Sequence, residues 1–257
     1  MIETKSRAEL ETMDRVNRVV RTILVELVER AQPGVSTGDL NRHAEKRLAE
    51  LGAKPAFKGY PHPGGGPAYP AVLCTSINEE VVHGIPAPHR TLREGDILSL
   101  DFGAVIDGLY GDAAVTVGIG KIGETASKLI DVTRDSLMRG IEKVCPGNRI
   151  SDISAAVQTH AESHGFSVVR EFVGHGIGRR LHEDPPVPNF VDRGPNPRLT
   201  PGMVLAIEPM IAAGAFEVEM AKDRWTALTR DRALSAHFEL SVAVTPEGPW
   251  ILGEPVA

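Results

Sequence analysis

Between Arg7 and Ala31 the apolar residues Val16, Val19, Val20, Ile23, Leu24, Leu27 and Val28 recur at three- and four-residue intervals among charged ones, and Gln32-Pro33-Gly34 follows. That period lines them along one stripe of an α-helix, and a Pro-Gly pair stops it, so the spacing predicts an amphipathic helix over residues 7 to 31. A second helix is expected from Ser36 or Thr37, either of which can cap it, with Leu40, Ala44, Leu48 and Leu51 on one face and Gly52 as terminator. Glycine and proline crowd residues 54 to 70, which read as a loop. Ile97 to Leu100 reads as a buried strand ending at Asp101, and Asp107-Gly108 as the two-residue turn of a hairpin. From Ser235 to Thr245 the alternation of Phe238, Leu240, Val242 and Val244 predicts a further strand. Its parity sends Glu239 away from the apolar side, either to solvent or to a site.

The pattern repeats. Pro33-Gly34 ahead of Asp39-Leu40 returns as Pro146-Gly147 ahead of Asp152-Ile153, an offset of 113 residues. Leu92-Arg-Glu-Gly-Asp-Ile-Leu-Ser-Leu-Asp101 returns as Leu199-Thr-Pro-Gly-Met-Val-Leu-Ala-Ile-Glu208, an offset of 107. Self-similarity of this kind constrains the whole fold. Each half runs helix, loop, turn and buried strand ending in a carboxylate, over about 33–120 and 146–245. A pseudo-twofold axis between them would set Asp101 and Glu208 facing each other. No stretch is polar and Gly/Ser-rich enough to be a linker, so residues 1–257 are expected to form a single domain.

Composition narrows the partners. Lys and Arg total 28 against 34 Asp and Glu, a net charge of −6, which gives nucleic acid or an anionic membrane no electrostatic reason to bind. Charged residues recur through the first fifteen positions, seven in all, so neither a secretory signal nor a membrane span is expected there. Cys74 and Cys145 are the only cysteines and form no C-x-x-C pair, which points to a reducing compartment.

The hairpin turn also carries chemistry. With Asp107-Gly108 as its loop, Ile106 faces Leu109 and Gly103 faces Asp112, so Asp101 and Asp112 become a diagonal pair on one face, roughly 7 Å apart or less. Two buried carboxylates that close repel unless one is protonated or a cation lies between them. Taken alone, Asp101 also fits a strand-end cap and Asp112 a turn residue. Phe172-Val-Gly-His175-Gly-Ile-Gly178-Arg-Arg-Leu-His182 sets two histidines seven apart in a glycine-rich run where a ligand can approach the backbone, though a glycine-flanked histidine is often structural. Glu208 follows four apolar residues and precedes Pro209, and an acid there needs a partner. His160 and His164, four apart on an expected helix, find no third ligand and are read as ordinary surface or half-buried side chains, and His43, His62 and His89 are read as solvated.

Ser76-Ile-Asn-Glu, His83-Gly-Ile-Pro, Gly95-Asp through Asp101, Gly111-Asp112, Gly174-His175-Gly-Ile-Gly, Leu181-His182-Glu, Glu208-Pro209 and Ser235-Ala with Glu239 occur together in this order. In this set the chain resembles the type I methionine aminopeptidases over nearly its whole length. The resemblance implies the α+β pita-bread fold, a central antiparallel sheet with internal pseudo-twofold symmetry backed by helices. It implies that Asp101, Asp112, His175, Glu208 and Glu239 hold two divalent metal ions (Co, Mn, Fe or Zn), with Asp112 and Glu239 bridging. Glu208 would also shuttle a proton, His182 would hydrogen-bond the scissile carbonyl, and His83 would contact the substrate amide. Phe57, Tyr60, Tyr69, Cys74, Leu181 and Trp225 fall at the methionine-pocket positions. Phe57 stands where Cys is common and Leu181 where Phe is common, the segment between Tyr60 and Tyr69 is longer than usual, and His237 and Leu240 replace a more usual Gln and His. The implied substrate is the N-terminal methionine of nascent chains with a small second residue. A monomeric cytoplasmic enzyme near the ribosome is implied too, with no nucleic acid or membrane required.

Three alternatives have their own signatures. Proline-specific peptidases of the same fold usually carry an extra domain ahead of the catalytic one, whereas 100 residues precede Asp101 here. A type II methionine aminopeptidase would have a sizeable insertion between His182 and Glu208, where this chain has 25 residues. A non-catalytic binding protein on the same fold has no need of the five ligands together with both His83 and His182.

Overall fold

The helices form where the periodicity places them. In the computed structural model, which describes residues 2 to 254, α1 spans Arg7–Arg30 and α2 spans Thr37–Glu50. Ser6 caps α1 through a reciprocal box: its hydroxyl accepts from the Glu9 N–H, and the Glu9 carboxylate accepts from the Ser6 N–H at 2.8 Å. Ser36 caps α2 with its hydroxyl, which accepts from the Asp39 N–H. A second pair follows in α3 (Glu124–Ile141) and α4 (Ile150–Ser163).

A nine-stranded antiparallel sheet carries the rest. Along its main path the strands run Lys54–Pro55, Ile97–Ile106, Leu109–Gly118, Glu239–Thr245, Val204–Ile207, Gly174–Gly176 and Glu183–Val187; Leu73–Ile77 also pairs with Ile97–Ile106, and Gly248–Ile251 with Glu239–Thr245. The hairpin has the expected register, Ile106 opposite Leu109 and Gly103 opposite Asp112. Asp107 and Gly108 both take positive φ, +53° and +77°, as the tight turn requires.

Four expectations change. Asp101 does not end its strand, which continues to Ile106 because the hairpin partner pairs with one edge throughout, while Leu73–Ile77 and then Lys54–Pro55 pair with the other. The segment 235–245 is two strands that part at Phe238: Ser235–His237 pairs with Met210–Ala212 in a small separate sheet, and Glu239–Thr245 enters the main one. The loop over 54–70 begins with a two-residue strand against the hairpin. His43 also departs from the solvated reading, since its Nε2 lies 2.7 Å from the Glu26 carboxylate between α2 and α1.

Strand parity divides the main sheet into a helix side and an open side. Leu98, Leu100, Phe102, Ala104 and Ala113 point down onto α1 and α2, joining Val20, Ile23, Leu27 and Leu40. Leu205, Ile207, Val242 and Val244 point down with Ile141 and Ile153 of α3 and α4. These side chains are almost all without solvent contact. At roughly 25 cal/mol per Å² of apolar area removed from water, the two clusters anchor a rigid platform. The repeated blocks make the same turns. Gly34 N–H donates to Leu92 O at 2.9 Å and Gly147 N–H to Leu199 O at 3.1 Å, while Leu92 and Leu199 return bonds to Val35 and Asn148. Gly34 and Gly147 have φ of +90° and +92°, and Gly95 and Gly202 +95° and +90°, a region that glycine enters without steric cost.

Candidate active site

On the open side the chemistry-bearing residues fall into register. Asp101 stands opposite Ala114, and Ala114 opposite Glu239. Asp112, two residues from Ala114, shares that face. On the neighbouring strands His175 stands opposite Ala206, and Ala206 opposite Ser241, two residues beyond Glu239. Glu208 lies two beyond Ala206, just past the strand end at Ile207. Period-two alternation across five strands therefore brings four carboxylates and an imidazole to one face, with the small side chain of Ala114 between Asp101 and Glu239. Glycines make the room. A Cβ on Gly103 would come within 2.9 Å of the Phe57 ring and 3.2 Å of Asp112 Oδ1, and one on Gly174 within 2.4 Å of the Ala206 carbonyl oxygen.

These groups line the floor of a cavity of about 350 Å³ whose walls include His83, His182, Phe57, Tyr60, Tyr69, Cys74, Leu181 and Trp225. Every residue singled out from the sequence for the site thus meets in one place. Asp112, His175 and Glu239 each offer a ligand atom, all within 4.8 Å of one another, and Glu208, His237 and Glu239 form a second such group. Asp101 Oδ1, Asp112 Oδ1 and Glu239 Oε1 are buried with no hydrogen-bond partner. Buried carboxylate oxygens are normally satisfied, and leaving one unpaired costs the full desolvation of the group.

The electrostatics point the same way. Burial pushes Asp101 up to about 7 and Glu208 to about 8. Burial, reinforced by the neighbouring carboxylates, holds Asp112 and Glu239 well above the usual carboxylate range. Burial lowers His175 to about 3, so its ring is neutral at physiological pH. Its Nδ1 lies 2.9 Å from the Gly176 carbonyl oxygen, which only accepts, so Nδ1 carries the proton and Nε2 presents its lone pair toward Glu208 Oε1, 3.5 Å away. Clustered, unpartnered carboxylates beside an imidazole lone pair are a hard, anionic donor set that a divalent cation fits.

The rest of the cavity is apolar. Phe57, Tyr69, Cys74, Leu181 and Trp225 belong to one buried cluster, with Tyr60 packed against it. Tyr69 meets Trp225 edge to face at 5.2 Å. The long segment after Tyr60 folds back on itself, Gly59 N–H donating to Tyr69 O and Tyr69 N–H to Tyr60 O. It is pinned from its far side: the His62 ring meets Trp225 edge to face at 4.8 Å, and the Trp225 indole N–H donates to Pro67 O. His62 is therefore engaged rather than solvated. Tyr60 Oη lies 2.6 Å from His182 Nδ1. His83 adopts φ +62°, an unfavourable backbone conformation for a non-glycine residue, and meets Phe172 edge to face.

Some residues escaped the sequence reading. Phe172 and Pro63 also line the cavity; no spacing rule marks either. His237, noted only as a neighbour of Glu239, has Nε2 3.6 Å from Glu208 Oε2. Its two-residue separation from Glu239 is a period-two signal, hidden by the strand break between them. His160 and His164 remain outside any group of metal-ligand geometry among the described residues.

The model of metallopeptidase family M24 matches residues 11–246. The chain belongs to that family. Among curated relatives it is 50% identical to the methionine aminopeptidase of Clostridium acetobutylicum over 252 residues, 98% of each chain. It superposes on the crystal structure of the methionine aminopeptidase from Thermotoga maritima with a TM-score of 0.94 and 43% identity, covering 99% of this chain and all of that one. A prolidase from Pyrococcus horikoshii shares the fold at a TM-score of 0.78 and 18% identity, but this chain covers only 64% of it. The architecture is thus the pita-bread fold of these M24 peptidases.

Proposed function

We propose that this protein is a methionine aminopeptidase that hydrolyses the first peptide bond of chains beginning with methionine and a small second residue. The observation that carries the reading is the juxtaposition in one cavity of unpartnered carboxylate oxygens and an apolar, aromatic-walled pocket. Asp101, Asp112, His175, Glu208 and Glu239 would hold two divalent ions, as the resemblance implies; Asp112, His175 and Glu239 form one converging donor group, Glu208 joins Glu239 in a second, and Asp101 falls in neither. Oxygen donors with an imidazole suit Mn, Fe, Co or Zn. Bound there, such ions supply Lewis-acid polarisation of the scissile carbonyl and acidify a water near neutral pH.

The chain's own groups do the rest. Phe57, Tyr69, Leu181 and Trp225 enclose a thioether side chain against ring edges, and Cys74 adds a polarisable wall. Glu208, at the edge of the cluster and 13% exposed, accepts the proton of the attacking water and passes it to the leaving amine. Tyr60 Oη and His182 Nδ1 share a hydrogen bond; with the phenol as its donor, the neutral ring of His182 would keep its proton on Nε2 and offer it to the oxygen that gains charge. His83, lowered to about 4 by burial, is likewise neutral and contacts the substrate amide. Nascent chains emerging from the ribosome supply such substrates, which implies work in the cytoplasm, and one chain contains the whole site, consistent with a monomer. No described helix is long and apolar enough to cross a membrane.

Metal-reconstituted protein is expected to release methionine from a Met-Ala-Ser peptide and to leave Xaa-Pro dipeptides intact, with release abolished in Glu208→Gln. Cleavage of the proline substrates instead would reassign the chain to the proline-specific branch, and no turnover with any of the four metals would leave a binding role. Tyr60→Phe tests the oxyanion donor: loss of the 2.6 Å bond frees the His182 tautomer, and kcat should fall about tenfold with KM changed less than twofold. A KM effect alone would show that Tyr60 only shapes the pocket.

A further inference from the structure

The Glu208 carboxylate lies between two imidazoles. His175 Nε2 is 3.5 Å from Oε1, and His237 Nε2 is 3.6 Å from Oε2. Only His175 belongs to the ligand set that the resemblance implies. We propose that His237 is a sixth metal-ligating residue, binding through Nε2 the ion that Glu208 and Glu239 also hold.

Three observations carry this. First, Glu208, His237 and Glu239 present ligand atoms within 4.8 Å of one another. Two donors each about 2.1 Å from one ion lie roughly 3 to 4 Å apart, so the spacing to Glu208 already suits a shared ion. Second, His237 Nε2 is buried and has no hydrogen-bond partner, in a side chain only 2% exposed. At 3.6 Å the Glu208 contact is too long for a hydrogen bond, so holding that carboxylate in place does not account for the ring. Third, the backbone is clamped. His237 N–H donates to Thr116 Oγ1 and Thr116 Oγ1 donates to His237 O, both at 2.8 Å, while Ser99 Oγ lies 2.8 Å from Thr116 Oγ1. Rigid support of this kind orients a metal ligand and is wasted on a side chain that only fills space.

A second imidazole makes the donor set less exclusively oxygen, and nitrogen donors favour cobalt, iron and zinc over manganese. The chain should therefore discriminate against manganese more strongly than a site with one histidine does.

The inference rests on the reading of the carboxylate cluster as a metal centre, and the experiment separates the two. Proton NMR of the Co(II)-loaded protein should show two strongly shifted, solvent-exchangeable imidazole N–H signals, one of which disappears in His237→Gln. Direct titration should show Co(II) affinity falling by about tenfold or more in that variant, with Mn(II) affinity changed less. Melting of both chelated proteins serves as the folding control, and the wild-type spectrum decides the matter by itself if the variant does not fold. A single imidazole signal in the wild type would overturn the role of His237 while leaving the metal centre standing. No shifted imidazole signal at all would overturn both.

Discussion

Asp112→Asn is expected to lower methionine release by about a thousandfold or more while leaving the metal-free protein at least as stable as the parent. The two effects have one cause. Asp112 stands opposite Gly103 in the hairpin, buried among Asp101, Glu208 and Glu239, and its Oδ1 has no partner in the fold. Without a cation its charged form is opposed first by burial and then by Asp101 and Glu208, which is why its carboxyl sits well above the usual range. An amide of the same shape removes that conflict and also removes the charge that would bridge the ions, so function falls where intrinsic stability does not. The backbone is held independently: Ser241 Oγ accepts from the Asp112 N–H and donates to its carbonyl oxygen. Calorimetric melting in excess chelator should give the variant an unchanged or higher midpoint at pH 7.5, alongside peptide turnover measured with saturating cobalt. A variant that melts well below the parent without metal would show that Asp112 is a structural residue; one that keeps a tenth of the activity would remove it from the ligand set.

What the chain reveals before folding is uneven, and the reasons are local. The Asp107-Gly108 turn fixed the register of the hairpin, and with it the diagonal pairing of Asp101 and Asp112, because a two-residue loop admits a single alignment of its strands. Helix caps at Ser6 and Ser36 and the left-handed glycines of the repeated blocks follow the same logic of short-range chemistry. Glu239 was ambiguous because parity says which side chains share a face, not what covers that face. Only the assembled sheet, with the helices taking its other side, turns that face into a cavity. Phe172, Pro63 and the engagement of His62 by Trp225 depend on loops meeting across 100 residues or more, which no local pattern encodes. His237 falls between these cases: its distance along the chain from Glu239 was legible, but its approach to Glu208 required two different sheets to meet at Phe238 and Pro209.

Metal removal should cost more stability at pH 8 than at pH 6.5, and the sign follows from which groups hold protons in the empty site. In the metal-free fold Asp101 titrates near 7 and Glu208 near 8, with Asp112 and Glu239 also well above the value of about 4 that carboxyls have in the unfolded chain. The native state therefore binds more protons than the unfolded one. The stability these groups contribute is fully present below about pH 4 and is lost as pH rises through 7 to 8. His83 and His175 act oppositely. With folded values of about 4 and about 3, they bind fewer protons when folded, so their contribution grows as pH rises toward 6.5 and is complete above it. Above pH 6.5 the unfolded imidazoles finish losing their protons, His182 and His237 among them, so toward pH 8 the carboxylates set the slope and the chelated protein should lose stability across the upper part of that window. With an ion bound the carboxylates stay ionised in the fold, and the slope should flatten. At a thousandfold excess over its dissociation constant an ion adds about 4 kcal/mol, so the gap between loaded and chelated melting curves should be wide at pH 8 and narrow toward pH 6.5. Titration calorimetry of Co(II) at pH 6.5 in buffers of different ionisation enthalpy should accordingly report release of at least one proton per chain. Parallel melting curves across the window, or binding without proton release, would mean that the four carboxylates are already ionised in the empty site and that some other cation or solvent structure compensates them.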